Sequence, residues 1–392
     1  MDVETSKTIV VAMSGGVDSS VAAALLKDQG HNVIGITLQV WPEGAESDGQ
    51  GCCSIDAVED ARRVANKLGI PHYVMNLREE FERSVIQDFI DEYAEGRTPN
   101  PCVRCNEHVK FRTLLDRAIA LGADYLATGH YARVIEDSDG LFHLHRAENP
   151  AKDQSYVLYM LGQEELSRIL FPLASLTKDE TREIARRYDL NVWSKPDSQE
   201  VCFVTKGNVK DFLTERRPEL ARVGNIVNLE GKVVGEHTGT AGFTIGQRKG
   251  LGIAASEPLY VVDINAKTNE IIVGPLAALM VSSVIVGELQ WVAQRPPATV
   301  MAVTCKVRYN MPTVPALFRL YEKASGPTDK RNGFGSGDLW ELRFENPERA
   351  PTPGQAAVFF SGDEVIGGGT IEKVVRSTDY TIGAPLAEEM RA

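Results

Sequence analysis

The chain has no apolar run long enough to make a membrane helix, no low-complexity tract and no block of like charge. Six cysteines in 392 residues are too few for a disulfide scaffold, and a reducing cytosol would keep them as thiols. Lysine and arginine number 42 against 54 aspartates and glutamates, a formal net charge of −12. That balance excludes a general nucleic-acid binder, because neutralising phosphates takes clustered cations. A specific RNA site survives the exclusion, since a basic face can sit on an acidic protein. The basic stretches are residues 178–187, 206–217 and Gln247-Arg248-Lys249; each alone reads more simply as a solvated helix face or loop. The first residues, MDVETSK, are short and acidic and read as neither a secretory signal nor a transit peptide. The expectation is a cytoplasmic enzyme of two or three domains with no membrane part.

What is present is alternation. Residues 8–13, 33–40, 72–77 and 124–128 are short apolar runs that read as buried strands. Between them lie helical patterns at 17–29, 55–68, 81–93 and 109–121, with Gly30 and Gly69 placed to stop the first two. This order predicts an α/β domain, a doubly wound parallel sheet with helices on both faces. After about residue 205 the texture changes. GNIVNLEGKVVGEHTG and LYVVDINAKTNEIIVGP read as hairpins. From about residue 281, VTCKVRYN, ALFRLY, LWELRF and AVFFSGDEVIGGGTI have the period of two that suits a small barrel or sandwich. Residues 325–337 are polar and glycine-rich, a floppy hairpin tip. The expected division is 1–205, 206–280 and 281–392.

Ser14-Gly15-Gly16-Val17-Asp18-Ser19-Ser20 falls between the first strand and the first helix. Glycines let backbone approach a polyphosphate, and a helix start presents unpaired N–H groups and a positive dipole end. Ser14 and Ser19 add hydroxyl donors, and Asp18 is the candidate to help hold magnesium. The loop has no G-K-[ST] ending, so it is not a γ-phosphate-transferring Walker A loop. It resembles the signature of the ATP pyrophosphatases, a resemblance that implies adenylation of an oxygen with loss of pyrophosphate.

The cysteines fall in a pattern. Thr98-Pro99-Asn100-Pro101-Cys102-Val103-Arg104-Cys105 reads as a proline-stiffened loop before a helix. At that helix start the dipole would favour a Cys105 thiolate. Cys202, in DSQEVCF between the two halves, suits a mobile sulfur carrier. C-x-x-C is also half of a zinc site, but no second pair follows. A 4Fe–4S cluster on Cys102, Cys105 and Cys202, with one iron open to sulfide, stands as a rival. Cys52 and Cys53 read as structural, and Cys305 as a core residue.

Together, SGGVDSS, GCCSIDAVEDARRVANKLGIPHYV, GRTPNPCVRCN, ATGHYAR, KDQSYVL, SKPDSQEVCFV, FTIGQRKGLG, CKVRY and PTPGQAAVFF resemble the tRNA-specific 2-thiouridylase family, collinearly from about residue 8 to 372. The resemblance implies a PP-loop adenylation domain, a small mixed or β domain and a C-terminal β-barrel. The implied reaction is thiolation of C2 of the wobble uridine, using ATP and Mg2+, with sulfur from a relay protein or cysteine desulfurase. It matches Ala12, Met13, Ser14, Gly15, Gly16, Val17, Asp18, Ser19, Leu38 and Gly129 to the ATP site. Cys105 matches the nucleophile and Cys202 the persulfide carrier, a pair implied to close as a disulfide. Asn100, Pro101 and Cys102 match the segment that meets the target base. Lys152, Asp153, Gln154, Arg308 and Tyr309 match tRNA-contacting positions, and His130 and Gln355 match positions tied to tRNA discrimination. Cys102 departs from the aspartate some members carry there. A thiol, with a pKa of about 8.5 against about 3.9, is a poorer acid/base group, so acid/base, resolving thiol and cluster ligand all stand for it. An amide-forming adenylating enzyme, or an RNA-binding module with a vestigial nucleotide pocket, are the competing functions.

Overall fold

The structure is a computed structural model that describes residues 6–40, 55–196, 201–204, 208–294, 298–322 and 337–376. Cys52 and Cys53 and nearly all of the polar tip expected at 325–337 lie outside the described residues. Two compact units are present. Met1–Ile86, Pro101–Lys206 and Asp363–Val365 form the first, while Gln87–Asn100, Gly207–Gly362 and Ile366–Ala392 form the second. Among the described residues no helix is long and apolar enough to cross a membrane.

The first unit is built on β1 (Thr8–Ala12), whose β-branched residues Ile9, Val10 and Val11 are fully buried. Helix α1 (Val17–Asp28) follows after a four-residue loop. Its Ala22, Ala23 and Ala24 carry no exposed surface, so small side chains let it lie close in the core. It ends in a reverse turn at Gly30, where φ is +85°, with Gly30 N–H on the Lys27 carbonyl. Next come β2 (Asn32–Gln39), the amphipathic α2 (Ile55–Leu68), and β3 (His72–Asn76). Ala61, Val64, Ala65 and Leu68 of α2 join α1 in one core with Ile9 and Val11.

Downstream, helix α3 (Pro101–Arg104) runs into a π-wound helix, Cys105–Leu114, before β4 (Tyr125–Ala127). A hairpin of β5 (Ala132–Glu136) and β6 (Phe142–Arg146), the short β7 (Ile169–Leu170) and α4 (Lys178–Arg187) complete the unit. The sheet order is β3-β2-β1-β4-β7, parallel throughout. The parallel α/β sheet read from the sequence is therefore present. The chain leaves β1 for β2 on one side while β4 lies on the other, so the strand order reverses at β1. Ligands of open α/β sheets bind outside the carboxyl ends of strands at such a point. The expected helix at 109–121 begins earlier, at Pro101, because proline suits a first helical position, where no N–H is needed.

In the second unit, β8 (Gly224–Asn228) and β9 (Val233–His237) form one hairpin, and β10 (Tyr260–Asn265) and β11 (Glu270–Gly274) another. They join through a parallel β11–β8 pairing into a small mixed sheet. Six strands then close a barrel: β12 (Met280–Trp291), β13 (Val300–Lys306), β14 (Val314–Glu322), β15 (Leu339–Arg349), β16 (Ala356–Ser361) and β17 (Glu364–Arg376). Their order is β12-β15-β14-β13-β16-β17, and β17 pairs back onto β12. Between the barrel and the sandwich that the period-two strands allowed, closure decides for the barrel. Its centre is aromatic. Phe318 stacks on Trp340 at 4.6 Å with 9° between planes, while Trp291 meets Phe318 edge-on at 5.4 Å. Cys305 lies in this core with no exposed surface, as expected, and burial pushes its thiol pKa up.

The Phe318→Ala substitution is expected to cost about 3–5 kcal/mol by emptying the barrel centre. Urea denaturation followed by tryptophan fluorescence measures it. A loss below about 1 kcal/mol would contradict the packing described.

Candidate active site

The loop that joins β1 to α1 is fixed by backbone approach. Gly15 has φ of +68°, and a Cβ there would strike the Ala57 carbonyl at the start of α2. Gly129, just beyond β4, lies so close to α1 that a Cβ would come 2.6 Å from Ser19 N. Gly15 is required by conformation and by contact, and Gly129 by contact alone. Gly16 caps α1 in an extended conformation, and it offers no side chain to the helix N–H groups. Inside the loop, Ser19 Oγ accepts from Ser14 N at 3.1 Å and lies 3.3 Å from Ser14 Oγ. Ser20 Oγ donates to the Gly16 carbonyl at 2.8 Å. The result is a helix start facing the carboxyl end of the central strand, with hydroxyls folded around it. Such a start is a ready anion site. Leu38, on neighbouring β2, is buried, as are Met13 and Val17, while Ala12 is half-buried.

Asp18 points to an unexpected partner. Lys178 Nζ donates to both its carboxylate oxygens, at 2.7 and 2.8 Å, and Tyr131 Oη donates to Oδ1 at 2.8 Å. Tyr131 Oη also lies 3.0 Å from Thr181 Oγ1. Lys178 and Thr181 are presented by α4, whose start is set by a capping box. Thr177 accepts from Glu180 N, and Glu180 Oε2 accepts from Thr177 N at 2.7 Å. Thus Lys178, first in a basic stretch that reads as a solvated face, is buried against the loop. In this arrangement Asp18 is an ion-pair partner, and its carboxylate keeps 32% of its side-chain surface exposed beside the loop. Lys195 completes the surround, donating to the Gly15 carbonyl at 3.1 Å and to Asp60 Oδ2 at 3.0 Å.

The thiols sit elsewhere in the same unit. Cys102 is exposed on α3, and Cys105, half-buried, is the first residue of the π-wound helix. The helical run begins four residues before Cys105, so the thiol is not at the helix start that the sequence suggested. Arg104, the residue before it, pairs with Glu107 at 3.4 Å. The helix is pinned by buried Asn106, whose Nδ2 donates to the Val157 carbonyl at 2.7 Å. Half-buried Cys202 sits in a tight turn, Val204 N on the Val201 carbonyl, next to Phe203, whose ring meets Phe81 edge-on at 5.8 Å. Residues 197–200, which precede it, lie outside the described residues. Among the described residues no three Cys, His, Asp or Glu side chains come together as a metal-ligand set.

The positions matched to tRNA contact differ in setting. Asp153 is 7% exposed. Its Oδ1 accepts from Ala147 N and Ser155 N, and its Oδ2 from Ser155 Oγ. Gln154 Oε1 accepts from Tyr131 N, and Lys152 is half-buried. His130 lies between Phe111 and Phe171, with Nδ1 2.7 Å from Thr128 Oγ1. Desolvation, aided by Lys110, holds its pKa well below the ordinary value. In the second unit, Gln355 Nε2 donates to the carbonyls of Thr98 and Pro99, fixing the segment that leads to half-buried Asn100 and Pro101. Arg308 donates to Thr352 Oγ1 at 2.6 Å, and Tyr309 is 37% exposed. Sequence reasoning missed Tyr131, Thr181, Lys195 and Asp60. The only local signal was the capping box ahead of α4.

Residues 7–206 match the profile described as the tRNA methyl transferase HUP domain, residues 210–275 the tRNA methyl transferase PRC-barrel domain, and residues 335–371 the aminomethyltransferase beta-barrel domain. The tRNA-specific 2-thiouridylase MnmA of Geobacter metallireducens is 50% identical over 379 residues, 95% of this chain and 98% of that one. Its counterpart in Carboxydothermus hydrogenoformans is 48% identical over 379 residues, 95% and 100%. That of Geotalea uraniireducens is 50% identical over 378 residues, 95% and 96%.

Two outcomes test this geometry. Gly129→Ala drives a methyl into the first turn of α1, so its affinity for a non-hydrolysable ATP analogue should fall at least about tenfold, the equivalent of 1.4 kcal/mol; unchanged calorimetric affinity would contradict the contact. His130 is neutral when folded and takes up a proton more readily when unfolded, so its contribution is complete above about pH 6.5 and is lost as pH falls below it. Thermal melts from pH 8 to 5 should therefore show a shallower acid loss for His130→Asn than for the unsubstituted protein. Equal slopes would refute the assignment.

Proposed function

Since the chain belongs to the tRNA-specific 2-thiouridylase family, we propose that it thiolates C2 of the wobble uridine of tRNA, through adenylation of the C2 oxygen and sulfur transfer from a cysteine persulfide. One observation carries the reading. A helix start without a side-chain cap, behind a glycine turn, shares a unit with the half-buried thiols of Cys105 and Cys202. An amide-forming adenylating enzyme has a use for the first and none for the second.

In this proposal ATP seats its phosphates on residues 12–19, with Leu38 and Gly129 on either side of β1. Magnesium enters with the nucleotide, as a counter-ion to its phosphates. The uridine is turned out of the anticodon stack to reach the site, against Asn100, Pro101 and Cys102. Its C2 oxygen attacks the α-phosphorus, and pyrophosphate leaves. The terminal sulfur of a Cys202 persulfide attacks C2, and AMP departs with the original oxygen. Cys105 thiolate then attacks Cys202 Sγ, which releases the thiocarbonyl and leaves a Cys105–Cys202 disulfide for an external thiol to reduce. The sulfur chemistry runs through these two thiols alone. Lys152, Gln154, Arg308 and Tyr309 are assigned to the tRNA, with Asp153 shaping the turn between Lys152 and Gln154. His130, neutral at pH 7, can only exchange hydrogen bonds. A sulfur-relay protein or a cysteine desulfurase charges Cys202, in the cytoplasm where both substrates and reductant are found.

Mass spectrometry of nucleosides tests the proposal. Unmodified tRNA incubated with the protein, ATP, magnesium and a persulfide donor should gain the mass of one oxygen-to-sulfur exchange in uridine. The Cys105→Ser and Cys202→Ser variants should lose that gain by a factor of at least about 10³, as removal of a nucleophile does, while still binding ATP. Full activity in Cys202→Ser with the same donor would overturn the sulfur route.

A further inference from the structure

We propose that Lys195 is a direct ligand of the nucleotide's polyphosphate, exchanging Asp60 for a phosphate oxygen when ATP binds. The proposal rests on the nucleotide reading above and adds a residue to it. ATP's phosphates carry several negative charges, and from Ser14 to Ser20 the one charged side chain is Asp18, of the wrong sign. The site therefore needs cations from outside the loop. Among the described residues two ammonium groups touch it, Lys178 on the Asp18 carboxylate and Lys195 on the Gly15 carbonyl.

Their settings separate their roles. Lys178 has a side chain 10% exposed and holds both Asp18 oxygens, so it neutralises that carboxylate and lets an anion approach. Lys195 is 32% exposed, and one of its two partners is a neutral carbonyl. Its ion pair with Asp60 is also dispensable to Asp60. Asn191 Nδ2 donates to Asp60 Oδ1 at 3.0 Å, and Arg63 pairs with the same oxygen at 3.4 Å. If Lys195 turns to a phosphate, the carboxylate keeps two donors, and the Gly15 bond keeps the ammonium beside the loop. A carboxylate that loses its sole partner resists such an exchange, whereas this one does not.

The test compares two variants that break the same ion pair. Lys195→Gln and Asp60→Asn are assayed by calorimetry, without tRNA, for α,β-methylene-ATP, inorganic pyrophosphate and adenosine. The charge-assisted bond predicts that Lys195→Gln loses about ten- to a hundredfold in affinity for the first two and keeps its adenosine affinity. Asp60→Asn should bind all three as the unsubstituted protein does or more tightly, and Lys195→Arg should recover most of the pyrophosphate affinity. Equal losses in Lys195→Gln and Asp60→Asn, or equal losses for adenosine and pyrophosphate, would assign Lys195 to loop structure and overturn the proposal. So would unchanged binding in Lys195→Gln. Unsubstituted protein that binds neither α,β-methylene-ATP nor pyrophosphate would instead overturn the nucleotide reading itself.

Discussion

The site depends on bringing three backbones into contact at the end of one strand. Gly15 lies against the start of α2, and Gly129 lies against the first turn of α1. Neither approach leaves room for a Cβ. Together they hold the helix start open at the middle of the sheet, where the strand order reverses. An anion there meets N–H groups without having to displace a protein acceptor. The carboxylate at the same turn would oppose this, and its pairing with Lys178 and Tyr131 removes the opposition.

Buried hydrogen bonds carry this order outward to the chemistry-bearing segments. Tyr131 ties the loop to α4 through Asp18 and Thr181, and its backbone exchanges hydrogen bonds with Gln154. Val157, three residues on, accepts from Asn106, the neighbour of Cys105. Each of these groups is satisfied by a partner far away in sequence, so each is costly to leave unpaired. The loop, the KDQ turn and the thiol-bearing helix therefore form one connected polar network under an apolar sheet. That network gives the proposed adenylation and sulfur-transfer steps a common frame.

Much of this was legible in the sequence. The strand-loop-helix placement of SGGVDSS, the glycine stops of the first two helices and the hairpins of the second half are local patterns, set by period and turn chemistry. What could not be read was long-range. Lys178 and Asp18 stand 160 residues apart, and nothing near Lys178 distinguishes a lysine buried on a loop from one on a wet helix face. The same holds for Lys195. Pro99 and Pro101 before the thiol-bearing helix read equally well as loop, and only tertiary packing of Val103 and Asn106 decides between loop and first turn. Residues 87–100 grouping with the later half also has no local signature.

In the proposed reaction the uridine oxygen leaves on the nucleotide. Transcripts carrying 18O at C2 of the wobble uridine, turned over once with ATP, magnesium and a persulfide donor, would test it directly. Adenylation of the C2 oxygen puts one 18O atom in the phosphate of the AMP product and none in pyrophosphate. Label recovered in water, with unlabelled AMP, would mean that the oxygen was never adenylated and would contradict the proposed reaction.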